Sequence, residues 1–145
     1  MADATLIRIA DAVVAAINAG SFTPAVTAAR VYQATRELKE VGTMRCSVMP
    51  QAWRQSLAGR GEDRADYIVQ LAIQKKLDPG GDVDAEMDTL MKLMQDLGAH
   101  LNRRELTDID ATWVGTVNEP VWGPEDLENL RQFTSVLTLT YRAIE

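Results

Sequence analysis

The chain of 145 residues is poor in the side chains on which many enzymes and all disulfide scaffolds depend. It contains one cysteine, one histidine and two phenylalanines. A lone Cys46 cannot form an internal disulfide, so the composition gives no sign of an oxidising compartment. No apolar run approaches the roughly 20 residues that a membrane-spanning helix needs. These absences exclude a disulfide scaffold and a helical membrane protein, and they favour one soluble domain over residues 1–145.

The few chemically versatile side chains are not arranged for catalysis. His100 is the one candidate base for a nucleophilic triad, and it is predicted to be a surface residue of a helix. Cys46 falls on the apolar face of a predicted strand, where a thiol is buried and unreactive. The acidic cluster at residues 78–88 lacks the spacing of a calcium-binding loop, and acidic residues suit the first turn of a helix. We therefore expect no enzyme activity, no cofactor and no metal site.

The net charge of -6 is divided unevenly along the chain. Residues 1–76 hold ten basic and seven acidic side chains, whereas residues 77–145 hold five basic and fourteen acidic. An ordinary solvated surface is the simpler interpretation of this division. In a self-assembling protein, however, a basic half facing the acidic half of a neighbour would favour head-to-tail contacts. The acidic total and the lack of a Lys/Arg run argue against sequence-specific DNA binding.

Hydrophobic periodicity predicts an α+β fold with the order αβββαβαβ. Helices are predicted over residues 4–19, about 82–101 and 124–131, and strands over 26–32, 44–50, 66–77, 113–117 and 133–141. Asp3 is expected to cap the first helix. We expect a mixed or mainly antiparallel sheet flanked by helices. Residues 51–64 are polar and rich in glycine, which predicts a long, mobile loop between two strands.

This loop and the charged positions near it supply the candidate contact residues. They are Trp53, Arg54, Arg60 and Arg64 in the loop, and Lys75, Lys76, Asp82 and Asp84 as opposite-charge partners across a subunit boundary. An exposed tryptophan beside an arginine is typical of an interface anchor, although a loop that folds back would bury the same ring. The arginines are equally compatible with a solvated loop in a free monomer.

Short segments in order along nearly the whole chain carry a resemblance to a known family. They are Ile17-Asn18-Ala19-Gly20, Arg30-Val31-Tyr32, Val48-Met49-Pro50, Asp66-Tyr67-Ile68-Val69, Gln74-Lys75-Lys76 and Leu130-Arg131-Gln132-Phe133-Thr134-Ser135-Val136-Leu137. In these segments the chain resembles the tail terminator, or tail-completion, proteins of long-tailed bacteriophages of the siphovirus or myovirus type.

The resemblance implies a virion structural protein with a curved sheet and flanking helices. Such proteins form a hexameric ring that caps the head-proximal end of the tail tube, stops tube polymerisation and joins the tail to the head. The implied partners are further copies of the chain, the tail tube protein and the head–tail connector or neck protein. Genomic DNA would pass through the ring without specific binding, and assembly in the host cytoplasm would place the protein at the tail–head junction of the virion. The loop at 51–64 would then be a contact arm that becomes ordered on assembly.

Two alternatives remain open from the sequence. One is a head–tail connector or head-closure (neck) subunit, which only its position in a virion separates from a terminator. The other is a small hydrolase or ligand-binding α+β domain, which needs a pocket with convergent polar groups near His100 or the acidic cluster.

Overall fold

The computed structural model describes residues 3–34, 38, 40, 42–78, 80–106, 109–119 and 122–144. These residues form α1 (Thr5–Asn18), β1 (Ala28–Arg30), β2 (Met44–Gly59), β3 (Glu62–Lys76), α2 (Val83–Leu101), β4 (Thr112–Asn118), α3 (Pro124–Leu130) and β5 (Gln132–Ile144). The element order confirms the predicted α+β fold.

The five strands form one mixed sheet in the order β1-β2-β3-β5-β4. Only the short β1 is parallel to its neighbour β2, and the other three pairings are antiparallel. Strands β2, β3, β5 and β4 therefore alternate in direction across the sheet.

Both long helices contribute one apolar stripe to the core. The buried positions are Ile9, Ala10, Val13 and Ile17 in α1, and Leu90, Leu93, Met94, Leu97 and Leu101 in α2. This spacing of three and four residues places each set on one helical face. They pack with alternate strand residues such as Val69, Leu71 and Leu139, so the core lies between the helices and one face of the sheet. No helix in the described ranges is both long and apolar enough to cross a membrane.

The two long helices begin differently, since α2 has a side-chain cap at its N-terminus and α1 has none. Asp82 caps α2, because its carboxylate accepts a hydrogen bond from the Ala85 amide at 3.1 Å. The prediction that Asp3 caps α1 is wrong, since the capping position is Ala4 and no side chain accepts a hydrogen bond there.

The prediction of a mobile loop over residues 51–64 is also wrong. Strands β2 and β3 continue through this segment as one long antiparallel hairpin, with the pairs Trp53↔Tyr67, Gln55↔Ala65 and Gly59↔Glu62. The polar composition is compatible with strands here because this part of the hairpin projects beyond the core and has solvent on both faces. Its backbone order comes from the ladder and from the tight turn at Arg60 and Gly61, where Gly61 adopts a φ of 79°.

Candidate interaction surface

The most exposed regular structure in the described chain is the hairpin arm, defined as residues 51–64. From Trp53 to Asp63 every residue of the arm is exposed, including Arg60 at its turn. Two of these residues are large and apolar: Trp53 is 54% exposed and Leu57 is 75% exposed. The two side chains lie on the same face of the hairpin, because residues four apart on a strand point to the same side.

A row of aromatic side chains joins the arm to the body of the protein. The register pairs Trp53 with Tyr67, Tyr67 with Tyr141, and Tyr141 with Trp113, so the row crosses β2, β3, β5 and β4 on the core side of the sheet. Tyr141 is fully buried, and burial raises the pKa of its phenol to about 12. Aromatic cross-strand pairs stabilise antiparallel sheets, so the row fixes the base of the arm. Trp53 is its exposed end.

The opposite face of the arm carries a cluster of arginines around one carboxylate. Arg142 donates two hydrogen bonds to Asp66, at 2.7 and 3.2 Å. These bonds lower the pKa of Asp66 and outweigh the opposing effect of desolvation, and the positive charges of Arg142, Arg64 and Arg54 lower it further. Arg64 also donates a hydrogen bond to the Ser56 hydroxyl at 3.2 Å. Three arginines face one aspartate here, so the base of the arm keeps a surplus of positive charge.

The predicted opposite-charge partners Lys75, Lys76, Asp82 and Asp84 lie in a separate region, around the other end of β3. Lys75 and Lys76 lie eleven or more residues from Arg64 along β3, which corresponds to about 35 Å. Lys75 forms an ion pair with Glu86 of its own chain at 3.3 Å, and Asp82 is engaged as the cap of α2. Asp84 is exposed in the first turn of that helix. The eight predicted contact residues therefore do not form one site. Trp53, Arg54, Arg60 and Arg64 share the arm, whereas Lys75 and Lys76 end β3 and Asp82 and Asp84 lie at the start of α2.

The uneven charge of the sequence is not carried by the strands themselves. Strands β1, β2 and β3 come from the basic half of the chain and lie side by side, while β5 and β4 come from the acidic half. However, β4 has no charged residue and β5 has only Arg142, so the acidic residues of the second half lie on α2, on α3 and outside the strands.

The side chains considered for catalysis are engaged in structural contacts. His100 is half-buried, contrary to the prediction of a surface position, and its Nε2 lies 2.7 Å from the carbonyl oxygen of Ala16. Because a carbonyl oxygen only accepts, Nε2 donates, and Nδ1 accepts from Arg104 at 3.2 Å. Burial raises the pKa of the Cys46 thiol to about 12, as expected for an unreactive core cysteine. Within the described residues, no three His, Cys, Asp or Glu side chains converge as a metal site.

A surface pocket of about 580 Å³ lies between the end of α2 and the start of β4. Its wall includes Arg103, Arg104, Glu105 and Asp110, all of which are exposed side chains. His100 is not among its lining residues. Ligand pockets usually combine a buried apolar wall with a few fixed polar groups, and the exposed charges found here do not provide that arrangement.

The exposed apolar residues outside the predicted set include Leu57, Val114 and Val117. Leu57 was assigned to a polar loop, and β4 exposes Val114 and Val117, the latter by 54%. The available signal was the alternation of Trp53, Gln55 and Leu57 with polar neighbours before a turn containing Gly61.

The chain matches no protein-family model, and no curated protein is similar to it at a significant level. The functional interpretation therefore depends on the arm, on the charge distribution and on the resemblance of the short segments described above.

Proposed function

We propose that the protein is a phage virion subunit that assembles head to tail into a ring, and that this ring terminates the tail tube and joins it to the head. The observation that carries the proposal is the hairpin arm, which places Trp53 and Leu57 in solvent beyond the core. Exposed tryptophan and leucine on a rigid projection are suited to insertion against a neighbouring subunit.

The charge distribution supports head-to-tail contacts between identical copies. A contact between a basic surface of one copy and an acidic surface of the next is heterologous, and repeated heterologous contacts close into a ring when the rotation permits. The fourteen acidic residues of the second half include those on α2 and α3, which would repel DNA passing through the ring without binding it. The resemblance of the short segments supports placing this ring among the tail terminators.

The first experiment is the molar mass of the purified chain by light scattering over a concentration series. A species near six times the 16.0 kDa monomer mass, or one that grows with concentration, is expected. The second experiment mixes the protein with purified tail tubes of the same virus and examines their ends by electron microscopy. Added protein should stop tube growth and appear as a ring at one end. Binding to the isolated connector with no effect on tube growth would instead identify a neck subunit, and a strict monomer that leaves tubes uncapped would refute both assignments.

The arm arginines provide an electrostatic test of the same contacts. Reversing the charge at Arg60 and Arg64 should weaken assembly more at low salt than at high salt, because surface charge interactions are screened over about 10 Å at 0.1 M salt. Lys92→Ala provides a control that removes an exposed positive charge on α2, away from the arm. An oligomer size that is indifferent to the double reversal at every salt concentration would show that the arm arginines do not contribute.

A further inference from the structure

The sheet has two lateral edges that no other described strand covers over most of their length. On the β2 side, β1 pairs only with residues Cys46 to Val48, which leaves β2 uncovered along the whole arm. On the other side, β4 pairs with β5 alone. An uncovered strand presents a row of backbone amides and carbonyls that can pair with another strand.

The direction of the backbone groups on β2 follows from its pairing with β1. The Val31 amide donates to the carbonyl oxygen of Val48 at 2.9 Å, so the polar backbone groups of Val48 face away from β3. Backbone groups alternate sides along an antiparallel strand, and the register shift after Pro50 adds one residue. Beyond that shift, Trp53, Gln55 and Leu57 therefore direct their amides outward, away from the sheet.

The outward groups on β4 are assigned in the same way. The Glu119 amide donates to the carbonyl oxygen of Val136 at 3.0 Å, so Glu119 faces β5. Alternation then directs the amide of Val117 toward β5 and that of Thr116 outward. The register shift between Trp113 and Gly115 places the Trp113 amide on the outward side as well.

The two edges are compatible in direction and level. Because β2, β3, β5 and β4 alternate in direction, β4 of one copy placed beside β2 of the next is antiparallel to it. The aromatic row puts Trp113 and Trp53 at the same level of the sheet, on the same face, each with an outward amide. Strand β4 carries no charged side chain, so it brings no charge repulsion to the contact.

We propose that the outer edge of β4 pairs antiparallel with the outer edge of β2 in a second copy of this chain, so that the sheet continues across each subunit boundary. The proposal rests on the head-to-tail assembly proposed above and specifies its interface. In the register that keeps the aromatic row level, Trp113 lies opposite Trp53 of the neighbour, and the exposed end of one row meets the β4 end of the next.

A proline substitution tests the β2 edge through its backbone. Gln55→Pro removes one outward amide without removing a hydrogen bond to β3, as Pro50 already does in the same strand. Gln55→Ala is the matched control, because it removes the side chain and keeps the amide. The proline variant should raise the dissociation constant of the oligomer about tenfold or more, and the alanine variant should leave it nearly unchanged. Circular dichroism and thermal unfolding of the two monomers establish that both variants fold.

A charge substitution tests the β4 edge. Val117→Lys introduces a cation on an edge strand, a common natural obstacle to strand pairing. Met91→Lys is the matched control, since Met91 is 41% exposed on α2 and lies on neither edge. Loss of oligomer is expected for Val117→Lys and not for Met91→Lys.

Mixing the two edge variants tests the pairing of unlike edges. Gln55→Pro keeps an intact β4 edge and Val117→Lys keeps an intact β2 edge, so an equimolar mixture has one functional interface and should form dimers that neither variant forms alone. Amide hydrogen exchange should show new protection of Gln55 and Thr116 in the wild-type oligomer. Wild-type assembly with no protection of these amides, or two edge variants that still assemble normally, would overturn the proposal while leaving the ring intact.

A failure of the proposed function would give a different experimental result from a failure of the edge pairing. If oligomers that depend on both edges neither cap tail tubes nor bind the connector, the edge pairing stands and the proposed phage function is wrong. A wild-type chain that stays monomeric at millimolar concentration, and forms no ring on tubes, would remove both.

Discussion

The substitution Leu57→Ala should weaken assembly and leave the stability of the folded monomer almost unchanged. The side chain is 75% exposed in the monomer, so Leu57→Ala removes few intramolecular contacts. The free energy of unfolding of the monomer should change by no more than about 0.5 kcal/mol. Burying a whole leucine stabilises by about 1.5–3 kcal/mol, and about three quarters of that remains available to an interface. The substitution should therefore cost about 1–2 kcal/mol for each contact between subunits, which is about a five- to thirtyfold weaker association.

The assay is sedimentation or light scattering over a concentration series, beside urea unfolding of the same preparations. Met91→Ala provides the control, because Met91 is a partly exposed apolar residue of α2 outside the arm. The reasoning is refuted if Leu57→Ala assembles as tightly as the wild type, or if it lowers monomer stability as a core substitution would. Equal effects of Leu57→Ala and Met91→Ala on assembly would show that exposed apolar area matters and the arm does not.

Three further predictions concern folding and reactivity. Gly20→Ala should destabilise the fold by about 1–3 kcal/mol, because the new Cβ would lie 2.8 Å from Cε2 of Phe22 and 2.9 Å from Cε1 of His100, and His100→Ala should remove the part of that cost that is due to His100. The Asp66–Arg142 pair should stabilise the fold above the ordinary pKa of a carboxylate and lose this contribution as the pH falls through the lowered pKa of Asp66, a dependence that Arg142→Ala should remove from urea unfolding curves. Cys46 should resist thiol reagents in the folded protein and react fully in denaturant, since its pKa is about 12.

Each of these predictions has a clear contrary result. A double variant in which the costs of Gly20→Ala and His100→Ala simply add would show that the two side chains do not clash. An Arg142→Ala protein with the same acid sensitivity as the wild type would show that the ion pair does not contribute. Rapid labelling of Cys46 under native conditions would show that the sheet around β2 opens readily.

The core elements could be predicted because their hydrophobic periodicity is strong. Helix α2 was expected near residues 82–101 from its apolar stripe, and β3 and β5 were expected from strict alternation. In each case one face is buried, so apolar residues are required at a fixed spacing. Met91 is 41% exposed although it lies one residue after the buried Leu90, because Leu93 and Met94 occupy the buried positions of the next turn.

The hairpin arm could not be predicted by the same rule. Its strands project beyond the core, so neither face needs a continuous apolar set, and residues such as Arg54 and Ser56 are acceptable there. The arm is ordered by cross-strand hydrogen bonds and by the extension of β5, which reaches Arg64 at its Ile144 end. Trp53, Arg54, Arg60 and Arg64 share the arm, whereas Lys75, predicted as a charged partner across a subunit boundary, forms an ion pair within its own chain.

We propose that this chain caps tail tubes as a ring of identical subunits. The most direct test is electron microscopy of purified tail tubes incubated with the wild-type protein, with Leu57→Ala and Met91→Ala as parallel samples. The account predicts a ring at one end of each tube and no further growth with the wild type and Met91→Ala, and weaker capping with Leu57→Ala. Tubes that continue to grow with bare ends in the presence of folded wild-type protein would contradict it.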